Sequence, residues 1–323
     1  MQVSPQAYAA SNTFQTRDAL NVIHRVKDKY PDRTFNIILD IGCGTGKVTD
    51  ILKDTFPTAK IVAIDIDPNM IEYCTHHSRH AHLNNPISHH HHPIFGRVTP
   101  PPVHAMEYIL ADFSRPWDDL PAALHAFEGQ IDLIFTSLVF NWIPEVGNAC
   151  GNIAHLLSPG GDIFANVATM LPTYGVAFSD PTVPAEIGET FNGIPLTFKY
   201  RFGSEEAQKE KWREELEAHG VGRVDIESLV TRWEIPQPEI EHNLVAICTS
   251  WYLKYLTAGC LDEKEEEERE KVKADMYEAV KAAHSIPREE IEEDVEDEVL
   301  DGDEGVERKV FILPRYVINA TKI

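Results

Sequence analysis

From residue 38 to residue 50 the chain reads ILDIGCGTGKVTD: a strand-like apolar run, then Gly42, Gly44 and Gly46, then the start of a helical pattern. Glycines at this spacing let the backbone turn sharply and come close to a ligand, and the following helix directs free N–H groups toward it. A nucleotide-like ligand is the expected occupant, and the spacing narrows its class. A phosphate-cradling loop, G-x-x-x-x-G-K-[ST], would need glycine at 41 and Ser or Thr at 48, where Ile41 and Val48 stand. A dinucleotide fingerprint, G-x-G-x-x-G, would need glycine in place of Lys47. The pattern present is D-x-G-x-G-x-G from Asp40 to Gly46, with Asp65 at the end of the next strand-like run. An acidic residue there is placed to accept both hydroxyls of a ribose. Together these features favour an adenosyl ligand without a pyrophosphate.

The surrounding elements suit such a site. Strand-like runs FNIILDI, AKIVAID, MEYILAD, IDLIFTSL and GDIFANVAT alternate with helical patterns over residues 35–168, the signature of βαβ units and a parallel sheet. Val48, Ile51, Leu52 and Phe56 form one expected helical face, and Val146, Cys150, Ile153 and Leu157 another, stopped at LSPGG. A helix with Leu20, Ile23, Val26 and Tyr30 at spacings of three and four is expected over residues 13–30. Beyond the sheet, the sequence predicts a charged helix at EEAQKEKWREELEAHG, a strand at VDIESLVTRWEI and a helix at EIEHNLVAICTSWYLKYL. VFILPRYVINATKI closes the chain as a strand in which Pro314 suggests an edge or a bulge. Asp67-Pro68 reads as an N-cap followed by proline at the first helical position, which leaves Asp65 for the ligand.

Residues 35–168 resemble the class I S-adenosylmethionine-dependent methyltransferases. The resemblance implies a doubly wound α/β fold with a mostly parallel seven-stranded sheet, an N-terminal helix and C-terminal helical cap insertions. It also implies S-adenosylmethionine as cofactor. Asp40 and the loop of Gly42, Cys43, Gly44 and Gly46 would hold its methionine part, Asp65 with Ile66 its ribose, and Asp112 with Phe113 its adenine. Asp112 also has a plainer use as a turn residue at a strand end. The stretches YAASNTFQTRDAL and SLVFNWIPEVGNACGNIAHLLSPGGDIF are similar to the juvenile hormone acid O-methyltransferases. In that family a Gln and a Trp are thought to hold the substrate carboxylate, which here would be Gln15 and Trp142. This chain departs from the family in carrying Val139-Phe140-Asn141 before the Trp. Structural uses stay open for both residues: Gln15 three positions after Asn12 forms a capping box, and Trp142 can close the core.

On these expectations the chain divides into an N-terminal helical cap (1–34), a cofactor-binding core (35–170) with a His- and Pro-rich insertion (75–105), and a remainder (171–323) with cap insertions and an acidic segment (262–309). The implied reaction is methyl-ester formation on a small-molecule carboxylate, most readily an apolar isoprenoid or fatty acid such as farnesoic or juvenile hormone acid. A carboxylate with a pKa near ~4.3 is already ionised at neutral pH and needs no general base. Apolar residues at Phe178, Ile187, Phe191, Ile194 and Phe198, and at Val245, Ile247, Trp251, Tyr252 and Tyr255, would supply an apolar cap or simply pack as core. The alternatives are a small polar acid or a hydroxyl as acceptor, or a catalytically silent cofactor-binding protein.

A formal charge of −23 disfavours nucleic acid or an anionic membrane as partner. Residues 262–309 alone hold 21 acidic against 8 basic side chains, which reads as a solvated helix and loop. The start of the sequence has no signal-peptide pattern, no run reaches a membrane span, and five cysteines include no C-x-x-C pair, so a cytoplasmic setting is expected. Eight of the fifteen histidines fall in residues 74–95. They follow the helix after the second strand, on the side away from the cofactor, so a surface insertion is expected there and no metal site.

Overall fold

The computed structural model describes residues 4–80, 106–143, 146–168, 205–236 and 308–323, with isolated helical positions at 266–267, 270–271 and 274. The apolar cap stretches, most of the histidine-rich insertion and nearly all of the acidic segment lie outside the described residues. Two compact units are present. One comprises Met1–Phe14, Ala168–Lys211 and Ser228–Tyr316, the other Gln15–Val167, Trp212–Glu227 and Val317–Ile323. In the first, helix α1 (Pro5–Ser11) is described, and Lys209 bonds both Ser228 (2.8 Å) and Glu205 (3.3 Å). The second holds the candidate site.

A seven-stranded sheet has the order β3-β2-β1-β4-β5-β7-β6. Its strands are β1 (Ile37–Ile41), β2 (Lys60–Asp65), β3 (Met106–Leu110), β4 (Ile131–Ser137), β5 (Leu157–Ala168), β6 (Val221–Pro236) and β7 (Arg308–Lys322). Every pairing from β3 through β5 is parallel, with Asp40 opposite Ala63 on one side and Phe135 on the other. Ile38, Leu39, Ile61, Val62, Leu133, Ile134 and Phe135 are fully buried. That near-continuous burial is what helix-covered parallel strands require.

The helices are α2 (Thr13–Lys29), α3 (Lys47–Thr55), α4 (Pro68–His77), α5 (Ala122–His125), α6 (Val146–Leu156) and α7 (Glu205–Ala218). In α2, Ala19, Val22, Ile23 and Val26 form the buried face. Its exit is fixed by Tyr30, edge-on to Phe35 and Phe164, and by Arg33, which bonds the buried Asp162 at 2.6 Å. Among the described residues no helix is long and apolar enough to cross a membrane.

Two expectations need correction. The buried residues of α3 are Thr49, Asp50, Leu52 and Lys53; of the expected apolar face only Leu52 is among them, while Val48, Ile51 and Phe56 are half-buried. Polar side chains turn inward because each finds a partner there. Thr49 bonds Asp40, Lys53 bonds the carbonyls of Pro57 (2.9 Å) and Ala59 (2.7 Å), and Asp50 receives the chain as it leaves α4. The closing strand is not an edge: β7 lies between β5 and β6, with Val317–Ala320 buried after Pro314. The helix expected to stop at LSPGG gives way directly to β5, which begins at Leu157 and carries a register shift opposite Ile131 and Leu133.

The insertion starts from a defined anchor. Ser78 donates its hydroxyl to Asp50, the Arg79 N–H bonds Asp50 Oδ2 (2.9 Å), and Asp54 takes the Arg79 guanidinium (2.7 Å) and the His80 ring (2.8 Å). Partial burial opposes it, but His80 and Arg79 hold the Asp54 carboxyl below its usual range. Among the described residues no three His, Cys, Asp or Glu side chains are grouped to hold a metal, and His89–His92 lie outside those residues. Asp50→Ala leaves the Ser78 hydroxyl and the Arg79 N–H without their acceptor. It is expected to destabilise the protein by about 1–3 kcal/mol, read as a lower urea midpoint at unchanged slope.

Candidate active site

In an open parallel sheet the ligand crevice opens at the carboxyl ends of the strands, where the strand order reverses. Here that point lies between β1 and β4, so the glycine loop leaving β1 and the turn leaving β4 share it. They touch: a Cβ on Gly42 would collide with Val139. Gly42, Gly44 and Gly46 all hold left-handed φ angles (74°, 53° and 78°), which disfavour a side chain at each, and at Gly42 the contact with Val139 disfavours it a second time.

The loop organises itself through its own donors. Gly42 and Cys43 donate to Ile64 O (2.8 and 3.0 Å), Gly46 donates to Cys43 O (2.9 Å), and Gly44 donates to Asp65 Oδ2 (2.9 Å). The N–H groups of these four loop residues are thus taken up within the protein, and the glycines supply space. The Cys74 thiol of α4 donates to Gly44 O at 2.9 Å. Beside it, Cys43 is buried, and the Cys74 contact and desolvation together push its thiol well above the ordinary value. Both effects favour the neutral thiol at Cys43.

Asp65 carries two duties. Its Oδ2 holds Gly44 and its Oδ1 accepts the Asp67 N–H (2.9 Å), which fixes the loop to the end of β2 and leaves lone pairs for a diol. Burial raises its pKa, against the bonds from Asp67 and Gly44 that lower it. Asp67 caps α4 as expected, accepting the Asn69 N–H at 2.9 Å with Pro68 behind it. Ile66, half exposed, follows Asp65 as an apolar surface. Asp40 is 2 % exposed and accepts the Thr49 hydroxyl at 2.6 Å. Burial pushes its carboxyl up to about 7, opposed by the Thr49 bond and assisted by the charge of Asp65.

On the neighbouring strand end, Asp112 Oδ1 accepts both the N–H (3.0 Å) and the hydroxyl (2.6 Å) of Ser114, the turn use open to it, while Phe113 is buried. Two residues that the sequence did not single out hold this loop. The Asn148 amide donates to Ser114 O (3.0 Å), and that of Asn152 to Phe113 O and Arg115 O (3.1 and 2.9 Å). Asparagines at i and i+4 inside a helix are poor helix formers, and that is the signal that could have found them. On the other side, Trp142 ends a single 3₁₀ turn (Phe140–Trp142) and is half-buried. Gln15 lies in the first turn of α2, and its Oε1 is buried without a hydrogen-bond partner, so the bond a capping box requires is not made.

A family model described as a methyltransferase domain matches residues 39–163. With the strand order and the switch-point loop, this stretch is a class I methyltransferase domain of the S-adenosylmethionine-dependent kind. The chain is similar to the malonyl-[acyl-carrier protein] O-methyltransferase of Hahella chejuensis, with 28% identity over 40% of this chain and 35% of that protein. It is similar to the trans-aconitate 2-methyltransferase of Methylobacterium radiotolerans, with 24% identity over 65% and 71%. It is also similar to the juvenile hormone acid O-methyltransferase of Bombyx mori, with 28% identity over 48% and 46%. The match thus spans 35% of the first relative's length and under half of the third's.

The residues present fit such a cofactor. The buried Asp40 carboxyl suits a cationic methionine part, the lone pairs left on Asp65 suit a ribose diol, the side-chain-free positions suit close approach, and the half-exposed Ile66 offers apolar surface beside them. Asp65→Ala is expected to weaken cofactor binding by about 10–100-fold, because hydrogen bonds to a charged group are lost. Asp67→Ala should cost about 1 kcal/mol of stability with little change in affinity. Calorimetric titration and melting of both variants check the division, and equal affinity losses would refute it. Because the fold raises Asp40 above its ordinary value, the free protein holds a proton there below about pH 7, and a cationic ligand must displace it. Cofactor affinity is expected to be full above about pH 8 and to fall by up to about tenfold per unit below about pH 7. Calorimetry in buffers of different ionisation enthalpy reads the released proton.

Proposed function

We propose that the protein is an S-adenosylmethionine-dependent carboxyl O-methyltransferase that esterifies a small-molecule acid, most readily an apolar isoprenoid or fatty acid. The observation that carries this reading is the Gln15 amide, whose buried Oε1 has no hydrogen-bond partner among the described residues; a half-turn of its last torsion sets an N–H in the same place, the donor that an anion requires. A buried amide left in this state costs free energy unless a ligand completes it. Two of the three relatives are methyltransferases named for an acid or its anion, juvenile hormone acid and trans-aconitate, and the third is named for a malonyl group on a carrier protein.

When bound, the cofactor supplies the electrophilic methyl group. The chain's own residues then have to position an anion that needs no base. Gln15 and Trp142 would hold the carboxylate through N–H donors, while Asp40 with the glycine loop would hold the methionine part of the cofactor and Asp65 its ribose. Removing both charges from water strengthens their attraction, which favours an enclosed site. The preference for an apolar acid rests on the composition of residues 178–198 and 245–255. A small polyacid is the second reading, favoured by the trans-aconitate relative, whose match extends over 65% of this chain.

Incubation with labelled S-adenosylmethionine and a panel of isoprenoid, fatty, dicarboxylic and tricarboxylic acids tests both. Esters of isoprenoid or fatty acids are expected, esters of polyacids alone would select the second reading, and no ester despite measurable cofactor binding would overturn both. Gln15→Ala and Trp142→Ala are each expected to lower kcat/KM by about tenfold or more while leaving cofactor affinity unchanged, the loss of roughly one hydrogen bond to an anion. Steady-state kinetics with the best acid reads this.

A further inference from the structure

The turn after β4 is assembled against its local preferences. Leu138 holds φ 58°, a left-handed conformation that costs a non-glycine residue about 1–2 kcal/mol. It is kept there by its N–H bond to Asn166 O (2.8 Å), while the Asn166 amide donates to Ser137 Oγ (3.1 Å). Val139 sits against Gly42 of the cofactor loop. Phe140, fully buried, is stacked between Phe113 (6.4 Å, 8°) and Trp212 (5.0 Å, 11°). The Trp142 N–H closes the turn onto Val139 O at 2.8 Å. Packing and hydrogen bonds therefore fix the residues on both sides of Asn141.

Asn141 itself is 6 % exposed, and among the described residues its Oδ1 has no hydrogen-bond partner. Leaving a buried amide end unpaired costs about 1–3 kcal/mol, and a leucine, branched at the same carbon, would fill the site without that cost. The amide is in the same condition as that of Gln15, and it sits one residue before Trp142 on the turn that touches the cofactor loop. A ligand that completes the amide accounts for both the strain and the unpaired atom.

We infer that Asn141 is a third acceptor-binding residue, whose side-chain amide hydrogen-bonds the carboxyl group of the acid alongside Gln15 and Trp142. This rests on the carboxylate reading proposed above. The amide presents Nδ2–H or Oδ1 after a half-turn of its last torsion, and a carboxylate oxygen selects Nδ2 as its donor. Being neutral, it recognises an anion without adding charge to an apolar site, and it does not compete as a methyl acceptor.

The test uses the full chain, the acid that the wild-type protein esterifies best, and two variants. Asn141→Leu is expected to melt at the wild-type temperature or above it and to bind S-adenosylmethionine with unchanged affinity. Its KM for the acid should rise and its kcat/KM fall by about tenfold or more. Asn141→Asp keeps the shape but sets a carboxylate against the substrate's own, and is expected to lose about a hundredfold or more. A lower melting temperature with parallel loss of cofactor affinity in Asn141→Leu would make the residue structural and overturn the inference. Wild-type KM in both variants would overturn it while leaving the carboxyl methyltransferase reading intact. Failure of the wild-type protein itself to esterify any acid would remove both.

Discussion

The bond from Gly44 N–H to Asp65 is the constraint on which the rest of the site depends. One carboxylate at the end of β2 reaches across to the loop leaving β1 and, through its other oxygen, takes the Asp67 N–H at the entrance to α4. The loop is thereby shaped before any ligand arrives, and three consecutive elements are registered to one side chain. A ligand group that later shares Asp65 joins a network already in place, so little ordering cost falls on binding.

From that fixed loop the other parts follow by contact. Val139 rests on Gly42, Phe140 stacks on Phe113 and Trp212, and the asparagines of α6 hold the backbone around Phe113. The loops after β1, β3 and β4 thus belong to one packed assembly in the unit formed by Gln15–Val167, Trp212–Glu227 and Val317–Ile323. Burial in this assembly raises the pKa of both of its carboxylates, Asp40 and Asp65.

Much of the fold was legible because parallel strands leave a strong trace: apolar runs such as IVAID and IDLIF, each ended by a turn or an acidic residue, name their own boundaries. The N-cap at Asp67 was legible for a similar reason, since Asp-Pro has one favoured position on a helix. What escaped was whatever depends on a distant partner. The inner face of α3 is polar because of Asp40, Pro57, Ala59 and Ser78, none of which a helical periodicity can see. Pro314 suggested an edge or a bulge, and the edge half of that expectation fails because β7 is flanked on both sides, which depends on the strand's neighbours and not on its composition. Asn148 and Asn152 looked like indifferent helix residues until their acceptors on the β3 exit came into view. In the candidate site, Asp40 and Asp65 were visible by spacing, but the burial of Asn141 and the absence of a partner for its Oδ1 are properties of packing.

The anchor at Ser78, Arg79 and His80 has a further consequence for how this chain can vary. Once Asp50 and Asp54 clamp the residues that leave α4, whatever follows before β3 is joined to the domain through a closed knot of charge and hydrogen bonds. The closure entropy of a connecting segment grows only logarithmically with its length, about 0.6 kcal/mol for each doubling. Lengthening or re-writing that connection is therefore close to neutral for the domain, which makes this point a natural port for tags, probes or grafted modules.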